Sequence, residues 1–384
     1  MGKAHPTHSL KRGAGGKSPA RGLGVSPILS CPPTCGGLQG VRTTSYNPPI
    51  PYSIDLLLIM FYPKLIMKEK LIVGVDLGGT KIDAVLADDC GNIRKRELKE
   101  TRAGEGPNAV IKRIVDAVKA VSADNKIAAV GIGAAGIIDV ETGLITTSPN
   151  LPGWRNIKLK DILERDLGIK IFVDNDATVA ALAEHKFGIA VGCDHFVCVT
   201  LGTGIGGGIV TNGQIYRGIS GSAGEIGHMT IDINGPLCGC GNRGCWEALA
   251  SGTAIEREAR AKVAEGVRTS IPKYAKESGK KITAKSVYLA AQDGDKLAKE
   301  LIEQLGFYVG VGLANLINIF NPQLVVISGG VSRMGEMLLE PARKTVRERA
   351  FELSAKAARV EISSLGYDAG PLGAVALALS ELSR

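Results

Sequence analysis

Twice along this 384-residue chain an apolar strand runs into a glycine-rich turn with a threonine, and the turn runs into a second strand. The first unit is Leu71–Asp76, the turn Gly78-Gly79-Thr80, and Lys81–Leu86. The second is Phe196–Leu201, a glycine turn over Gly202–Gly208, and Ile209–Thr211, closed by the hairpin signal Asn212-Gly213. Helical and strand patterns follow each unit. Asn108–Val121 puts Val110, Ile114, Val115 and Val118 on one helical face. Ala128–Gly133 and Lys170–Asp174 read as strands, and Ala177–Phe187 reads as a helix ended by Gly188. Further on, Leu305–Phe320 is helical up to Asn321-Pro322, Leu324–Ser328 is a strand entering Gly329-Gly330, and Gly370-Pro371 starts a last helix. This order predicts a duplicated α/β architecture with a cleft between two lobes. Residues 67–384 are long enough for two cores. Aromatic residues make up only 4% of the chain, which suits helix-covered sheets and suits an oligonucleotide-stacking surface poorly.

The glycine turns restrict the chemistry. Gly202-Thr203-Gly204-Ile205-Gly206-Gly207 satisfies G-x-G-x-x-G, but the dinucleotide fingerprint needs a helix directly after the turn. Here the chain runs into Gly208-Ile209-Val210 and an Asn-Gly hairpin, so that reading fails. Asp76-Leu-Gly-Gly-Thr-Lys81 is not a G-x-x-x-x-G-K-[ST] loop either. What both turns offer is unhindered backbone N–H groups beside a hydroxyl, Thr80 or Thr203, which is equipment for cradling phosphate oxygens. Either turn alone could be a simple hairpin connection. Two in a duplicated fold, with a third glycine pair at Gly329-Gly330, favour a nucleotide clamped between lobes.

A third feature is the run Cys238-Gly-Cys240-Gly-Asn-Arg-Gly-Cys245, preceded by Gly224-Glu225-Ile-Gly-His228. Three thiols in eight positions, spaced by glycines, leave almost no apolar bulk to hold the segment in shape. Disulfides are the plain alternative, but three is an odd number and Cys238 and Cys240 are too close to pair without strain. Three cysteines and a histidine are a standard tetrahedral zinc set, so His228, Cys238, Cys240 and Cys245 are expected to hold a structural Zn²⁺.

The first 66 residues have a different composition. They hold nine of the 17 prolines, seven Lys/Arg and a single acid, Asp55, so +6 of the net +8 belongs to them. They lack helical or alternating apolar periodicity, which predicts disorder. The apolar run Leu56–Tyr62 is too short to span a bilayer, and no signal-peptide cleavage pattern follows it. The segment also lacks the clustered basic run and helix-turn-helix period of a nucleic-acid-binding arm. Met67 is read as the natural initiator. With eight cysteines, three of them in the metal run, and no secretion signal, a cytoplasmic protein is expected, with neither membrane nor nucleic acid as partner.

Taken together, Asp76-Leu-Gly-Gly-Thr-Lys81, Val173-Asp-Asn175-Asp176-Ala177, Leu201-Gly-Thr-Gly-Ile-Gly-Gly-Gly208, Gly224-Glu225-Ile-Gly-His228 and Cys238-Gly-Cys-Gly-Asn-Arg-Gly-Cys-Trp-Glu247 closely resemble the ROK family of bacterial sugar kinases and repressors. The resemblance covers residues 68–384 in order, and within the family it is strongest to the kinases that act on glucose. It implies the two-lobed actin-like, hexokinase-type ATPase fold (RNase H-like) with an inter-lobe cleft, ATP and Mg²⁺ as co-substrates, and a homodimer or dimer of dimers. The division expected is residues 67–187 plus 369–384 in a smaller lobe and 188–368 in a larger one carrying the cysteine loop.

Carried over by position, the resemblance makes Asp176 the catalytic base and Asn175 its sugar-binding neighbour. Glu225, His228 and Glu247 become ligands of sugar hydroxyls, and His228 serves the zinc as well. The nucleotide falls to Asp76, Gly78, Gly79, Thr80 and Lys81, to Gly202, Thr203, Gly204 and Gly206, and to Gly329 and Gly330, with Asp76 an indirect magnesium ligand. Residue chemistry agrees: directional carboxylates and amides distinguish one sugar epimer from another, and Glu225 and His228, three apart, share one face of a helical turn. Asp176 would also cap a helix starting at Ala177. The expected reaction is phosphoryl transfer from ATP to a hexose 6-hydroxyl, glucose first. The competing readings are a kinase for fructose, mannose or N-acetylmannosamine, and a sugar-sensing regulator without activity. Intact Asp176 and both glycine turns weigh against the last. Family repressors carry a winged helix-turn-helix ahead of the shared region, and residues 1–66 lack that period.

Overall fold

The computed structural model describes residues 69–384 except 124, 278 and 280, within the compact unit Met67–Arg384. The expectations for residues 1–66 and for a start at Met67 lie outside the described residues.

The first half of this unit runs β1 (Ile72–Leu77), β2 (Lys81–Ala87), β3 (Ile93–Glu100), α1 (Pro107–Ser122) and β4 (Ala129–Ala134). A small sheet of β5 (Ile137–Asp139), β6 (Leu144–Thr147) and β7 (Arg155–Lys158) follows, then α2 (Leu159–Leu167), β8 (Ile171–Asn175) and α3 (Asp176–Phe187). The main sheet has the order β3-β2-β1-β4-β8, antiparallel across β3, β2 and β1 and parallel across β1, β4 and β8.

The second half runs β9 (Phe196–Leu201), β10 (Ile205–Thr211), β11 (Gln214–Ile215), α4 (Trp246–Ala250), α5 (Gly252–Ala264), α6 (Ile271–Glu277), α7 (Ala284–Gln292) and α8 (Lys296–Phe320). It ends with β12 (Leu324–Ser328), α9 (Glu336–Arg349), α10 (Glu352–Ala357), β13 (Arg359–Ile362) and α11 (Ala369–Glu381). Its sheet, β11-β10-β9-β12-β13, repeats the first strand for strand and direction for direction. The duplication expected from the sequence is therefore the fold: two lobes of mixed α/β structure.

Each sheet has its own core. Val73, Val75, Ile114, Val130, Ile132 and Val173 fill one, and Val197, Val199, Trp246, Leu313, Val325 and Ile327 fill the other. The central strands are buried along nearly their whole length, as strands covered on both faces must be. β3, with the sequence IRKRELKE, is a charged edge strand of mostly exposed residues, which blunts unwanted pairing and also hides it from an apolar-pattern search. α8 begins at Lys296 behind the N-cap Asp295, nine residues before the expected Leu305. Gly306, Gly310 and Gly312 lower its helical signal but let α9 and Trp246 approach: a Cβ at Gly312 would lie 2.1 Å from the indole.

α3 and α11 pack against each other between the two sheets. α11 lies on β1 and β4 because Gly74 and Gly131 have no side chains; a Cβ there would fall 2.1 Å from the Pro371 carbonyl oxygen and 1.8 Å from that of Ala374. α3 lies on β9 and β10. The first residue of α3 is Asp176, so this carboxylate is set at the junction of the two halves.

Candidate active site and cysteine loop

Two cavities meet at the start of α3. The larger, about 630 Å³, is lined by Asn175, Asp176, the Gly202–Gly204 turn, Glu225, His228 and Glu247, and the small sheet contributes Ile138 and Thr147. The second, about 470 Å³, is lined by Asp76, Lys81, Ser328, Gly329, Gly330, Arg333 and Tyr367. Asp176, Ala177, Thr200 and Gly329 belong to the walls of both.

Asn175, not Asp176, caps α3, which corrects the cap assignment made from sequence. The Asn175 Oδ1 accepts the N–H groups of Ala177 at 2.9 Å and Thr178 at 3.2 Å, while its Nδ2 donates to the Gly136 carbonyl at 3.2 Å. The helix therefore begins one residue earlier than expected, and Asp176 is its first residue. Asp176 Oδ1 accepts the Ala177 N–H at 2.9 Å, which fixes the carboxylate over the helix N-terminus. Burial raises the Asp176 carboxyl above the usual carboxylate range; the Ala177 N–H opposes the rise and the charge of Glu225 adds to it. Asp76, at the end of β1, is pushed up to about 6, first by burial and then by the charge of Asp176, with Lys81 opposing.

The turns differ from the sequence expectation in extent. Strand β10 begins at Ile205, so the second turn spans only Gly202–Gly204, and Gly206, Gly207 and Gly208 are strand residues. Their lack of side chains serves packing: a Cβ at Gly206 or Gly208 would come within 2.7 or 2.5 Å of Ala177 or Ala181 on α3. The Gly202 and Thr203 carbonyls accept the N–H groups of Gly252 and Thr253, and Glu247 Oε2 accepts the Ile205 N–H at 2.8 Å, so the turn is strapped to the α4–α5 junction. Gly78, Gly79 and Thr80 lie outside the lining of both cavities, whereas Asp76 and Lys81, which flank them, line the second.

In the cysteine loop, one ligand atom from each of His228, Cys238, Cys240 and Cys245 lies within 4.8 Å of the others. Cys240 Sγ is 3.7 Å from Cys245 Sγ, and Cys238 Sγ is 3.7 Å from His228 Nδ1. Those separations match the edges of a tetrahedron with metal–sulfur distances of about 2.3 Å. The other ring nitrogen, His228 Nε2, lies 4.0 Å from Glu225 Oε2 across the short 3₁₀ turn Ile226–His228. Backbone bonds hold the turn to the loop: Trp246 N–H to Met229 O at 2.8 Å and Ile231 N–H to Gly244 O at 2.9 Å. Trp246 itself is fully buried, its Nε1–H bonded to the Tyr308 carbonyl at 2.9 Å, so one end of the loop is anchored in the second core.

Sequence reasoning did not single out Arg217, Arg333 or Tyr367. Arg333 donates to the Tyr367 hydroxyl and stacks 4.9 Å from its ring at the rim of the second cavity. Single charged or aromatic residues in loops and short 3₁₀ turns carry no periodic or motif signal, so only the folded chain brings them to the site.

A ROK family model matches residues 72–381, nearly all of the described chain. The chain belongs to the ROK family. Among curated ROK relatives, the glucokinase of Thermotoga maritima is 40% identical over 311 residues, spanning 81% of this chain and 98% of that protein. The xylose repressor of Caldicellulosiruptor bescii is 32% identical over 316 residues, spanning 81% of this chain and 78% of that protein. Among solved structures, a ROK family glucokinase from Streptomyces griseus in complex with glucose and AMPPNP superposes with a TM-score of 0.71 at 38% identity, covering 80% of this chain and 98% of that one.

Proposed function

We propose that the protein is an ATP-dependent hexose kinase that phosphorylates glucose at its 6-hydroxyl. The observation that carries this reading is the place of Asp176: one half-buried carboxylate in the wall common to two cavities, one fit for a sugar and one for a nucleotide. The similarity to glucokinases, one of them solved with glucose and AMPPNP, supports the substrate pair. The identity is 40% to the Thermotoga kinase and 32% to the Caldicellulosiruptor repressor, which favours the kinase over the regulator.

In this reading the lobes are residues 67–187 plus 369–384 and residues 188–368, and the cleft between them is where chemistry occurs. Glucose occupies the larger cavity, its hydroxyls bonded by Asn175, Glu225, His228 and Glu247. ATP occupies the second, with Gly329, Gly330 and Lys81 around the phosphates and the Gly202–Gly204 turn at the boundary. Asp176 accepts the proton of the 6-hydroxyl as the oxygen attacks the γ-phosphate and ADP leaves. Its raised pKa makes it a stronger base than an exposed aspartate. Asn175 and the Ala177 N–H hold it in direction, which is the positioning that phosphoryl transfer chiefly requires. Lobe closure excludes water, which would otherwise accept the phosphoryl group.

Asp76 and Asp176 offer only oxygen donors and repel each other, a setting that suits Mg²⁺; bound there with ATP, it offsets the charge of the phosphoryl oxygens. The donor set of the cysteine loop suits Zn²⁺, held by His228, Cys238, Cys240 and Cys245 to fix the His228 ring while Nε2 stays free for a sugar hydroxyl. A homodimer and a cytoplasmic location complete the proposal; among the described residues no helix is long and apolar enough to cross a membrane. The test is a sugar-phosphate formation assay with ATP or polyphosphate as donor, together with coupled ADP release for the ATP arm, over glucose, fructose, mannose and N-acetylmannosamine. The highest kcat/KM is expected for glucose with ATP, and a chain that binds these sugars without forming sugar phosphate from either donor would be a regulator instead.

A further inference from the structure

Asp174 is the fourth residue of β8, two before Asp176, and Arg217 lies between β11 and the Glu225 turn. Arg217 Nη2 donates to Asp174 Oδ2 at 2.6 Å, with the Asp174 side chain 4% exposed and that of Arg217 22% exposed. Desolvation at both ends makes such a pair a poor source of stability, and burial holds the Asp174 carboxyl above its usual range despite the guanidinium. What the pair offers is geometry, because both partners are tied to the site. Asp174 Oδ1 accepts the Asn175 N–H at 2.8 Å, and Asn175 caps the helix that presents Asp176. The Arg217 carbonyl accepts the Ala223 N–H at 3.1 Å, closing a loop that leads directly into Gly221–Glu225 in the wall of the larger cavity. Asp174 belongs to the first sheet and Arg217 follows the last hairpin strand of the second.

We propose that Arg217 is a positioning residue: its bond to Asp174 fastens the sugar-facing loop to the strand that carries the base, so that seating the sugar and aligning Asp176 are one event. This rests on the hexose-kinase reading of the site. The neighbouring guanidinium nitrogen, Nε, is buried without an acceptor among the described residues, so a second bond to the carboxylate is open to the loop as it settles on sugar. The pair reaches the larger cavity through the loop, and neither Asp174 nor Arg217 is part of the lining of the second, so its loss acts more on glucose than on ATP.

The test is steady-state kinetics with glucose and ATP, together with the glucose-dependent rise in Tm, on Arg217→Gln, on Arg217→Lys, and on Arg217→Gln combined with Asp174→Asn. For Arg217→Gln, the KM for glucose rises about tenfold or more and kcat falls several-fold, while the KM for ATP changes less than about twofold. Arg217→Lys keeps the charge without the fork and falls between that variant and the parent. In the double variant no buried charge lacks a partner, so it folds even if Arg217→Gln does not, yet its KM for glucose stays raised. A double variant that binds glucose like the parent, or an Arg217→Gln enzyme whose two KM values rise alike, overturns the proposal. The Tm response reads sugar binding without turnover. A parent that responds to glucose but releases no ADP therefore sinks the kinase reading alone, and the loop coupling is still judged by the loss of that response in the variants.

Discussion

Burial holds the Asp176 carboxyl above its ordinary range, which in the proposed function brings the general base closer to the pH at which it works. Asp176→Asn keeps size and hydrogen bonding but removes the proton acceptor. Turnover falls by about 10²–10⁴-fold while glucose binding changes far less, measured as kcat beside a glucose Kd. Near-parental kcat would reduce Asp176 to a positioning group. Asp76 makes a separate prediction about stability. Its folded pKa of about 6 lies above the model-peptide value of 3.8, so the native state keeps a proton that the unfolded state has lost. Its contribution therefore falls as pH rises from about 4 to about 6, and stays low above that, by up to about 3 kcal/mol. Asp76→Asn is expected to be more stable than the parent at pH 7, to lose that advantage near pH 4, and to be catalytically poor. Denaturant unfolding at the two pH values reads it, and an equal difference at both contradicts it.

At the level of elements, the cysteine loop in the proposed function couples structure to sugar binding through one imidazole, with Nδ1 toward the thiols and Nε2 toward Glu225. Cys240→Ser lowers zinc from about one per chain and weakens glucose binding. ATP binding persists, since none of the loop residues lines the second cavity. Metal analysis and separate glucose and ATP titrations check this; a variant that loses zinc yet binds glucose normally would refute it. Elements with a strong apolar period, such as β1, α1, β9 and β12, were legible in the sequence within a residue or so. β3 was not, because its charges face solvent, and the start of α8 was not, because its glycines serve close packing rather than helix propensity. The glycines of β10 read as a phosphate turn for the same reason: sequence cannot tell a glycine that frees an N–H from one that admits a neighbouring helix. Of the motif residues, Asn175, Asp176, Glu225, His228 and Glu247 line the larger cavity, whereas Gly78, Gly79 and Thr80 line neither. Arg217, Arg333 and Tyr367 were not legible, since their relevance exists only in three dimensions.

Over the whole molecule, two copies of one sheet topology face each other, and the α3–α11 pair between them sets one carboxylate where the two cavities join. All the proposed site residues and both cores lie in residues 69–384. A chain starting at Met67 is therefore expected to keep full activity, and a loss of more than about 1 kcal/mol in stability on truncation would count against this. The central claim is that Asp176 delivers the sugar 6-hydroxyl to the γ-phosphate. ADP release measured side by side with glucose and with 6-deoxyglucose, each at a concentration that raises Tm equally, tests it most directly. The account predicts rapid ADP release with glucose and none above the sugar-free rate with 6-deoxyglucose. Equal release with both sugars, or none with either, would contradict it.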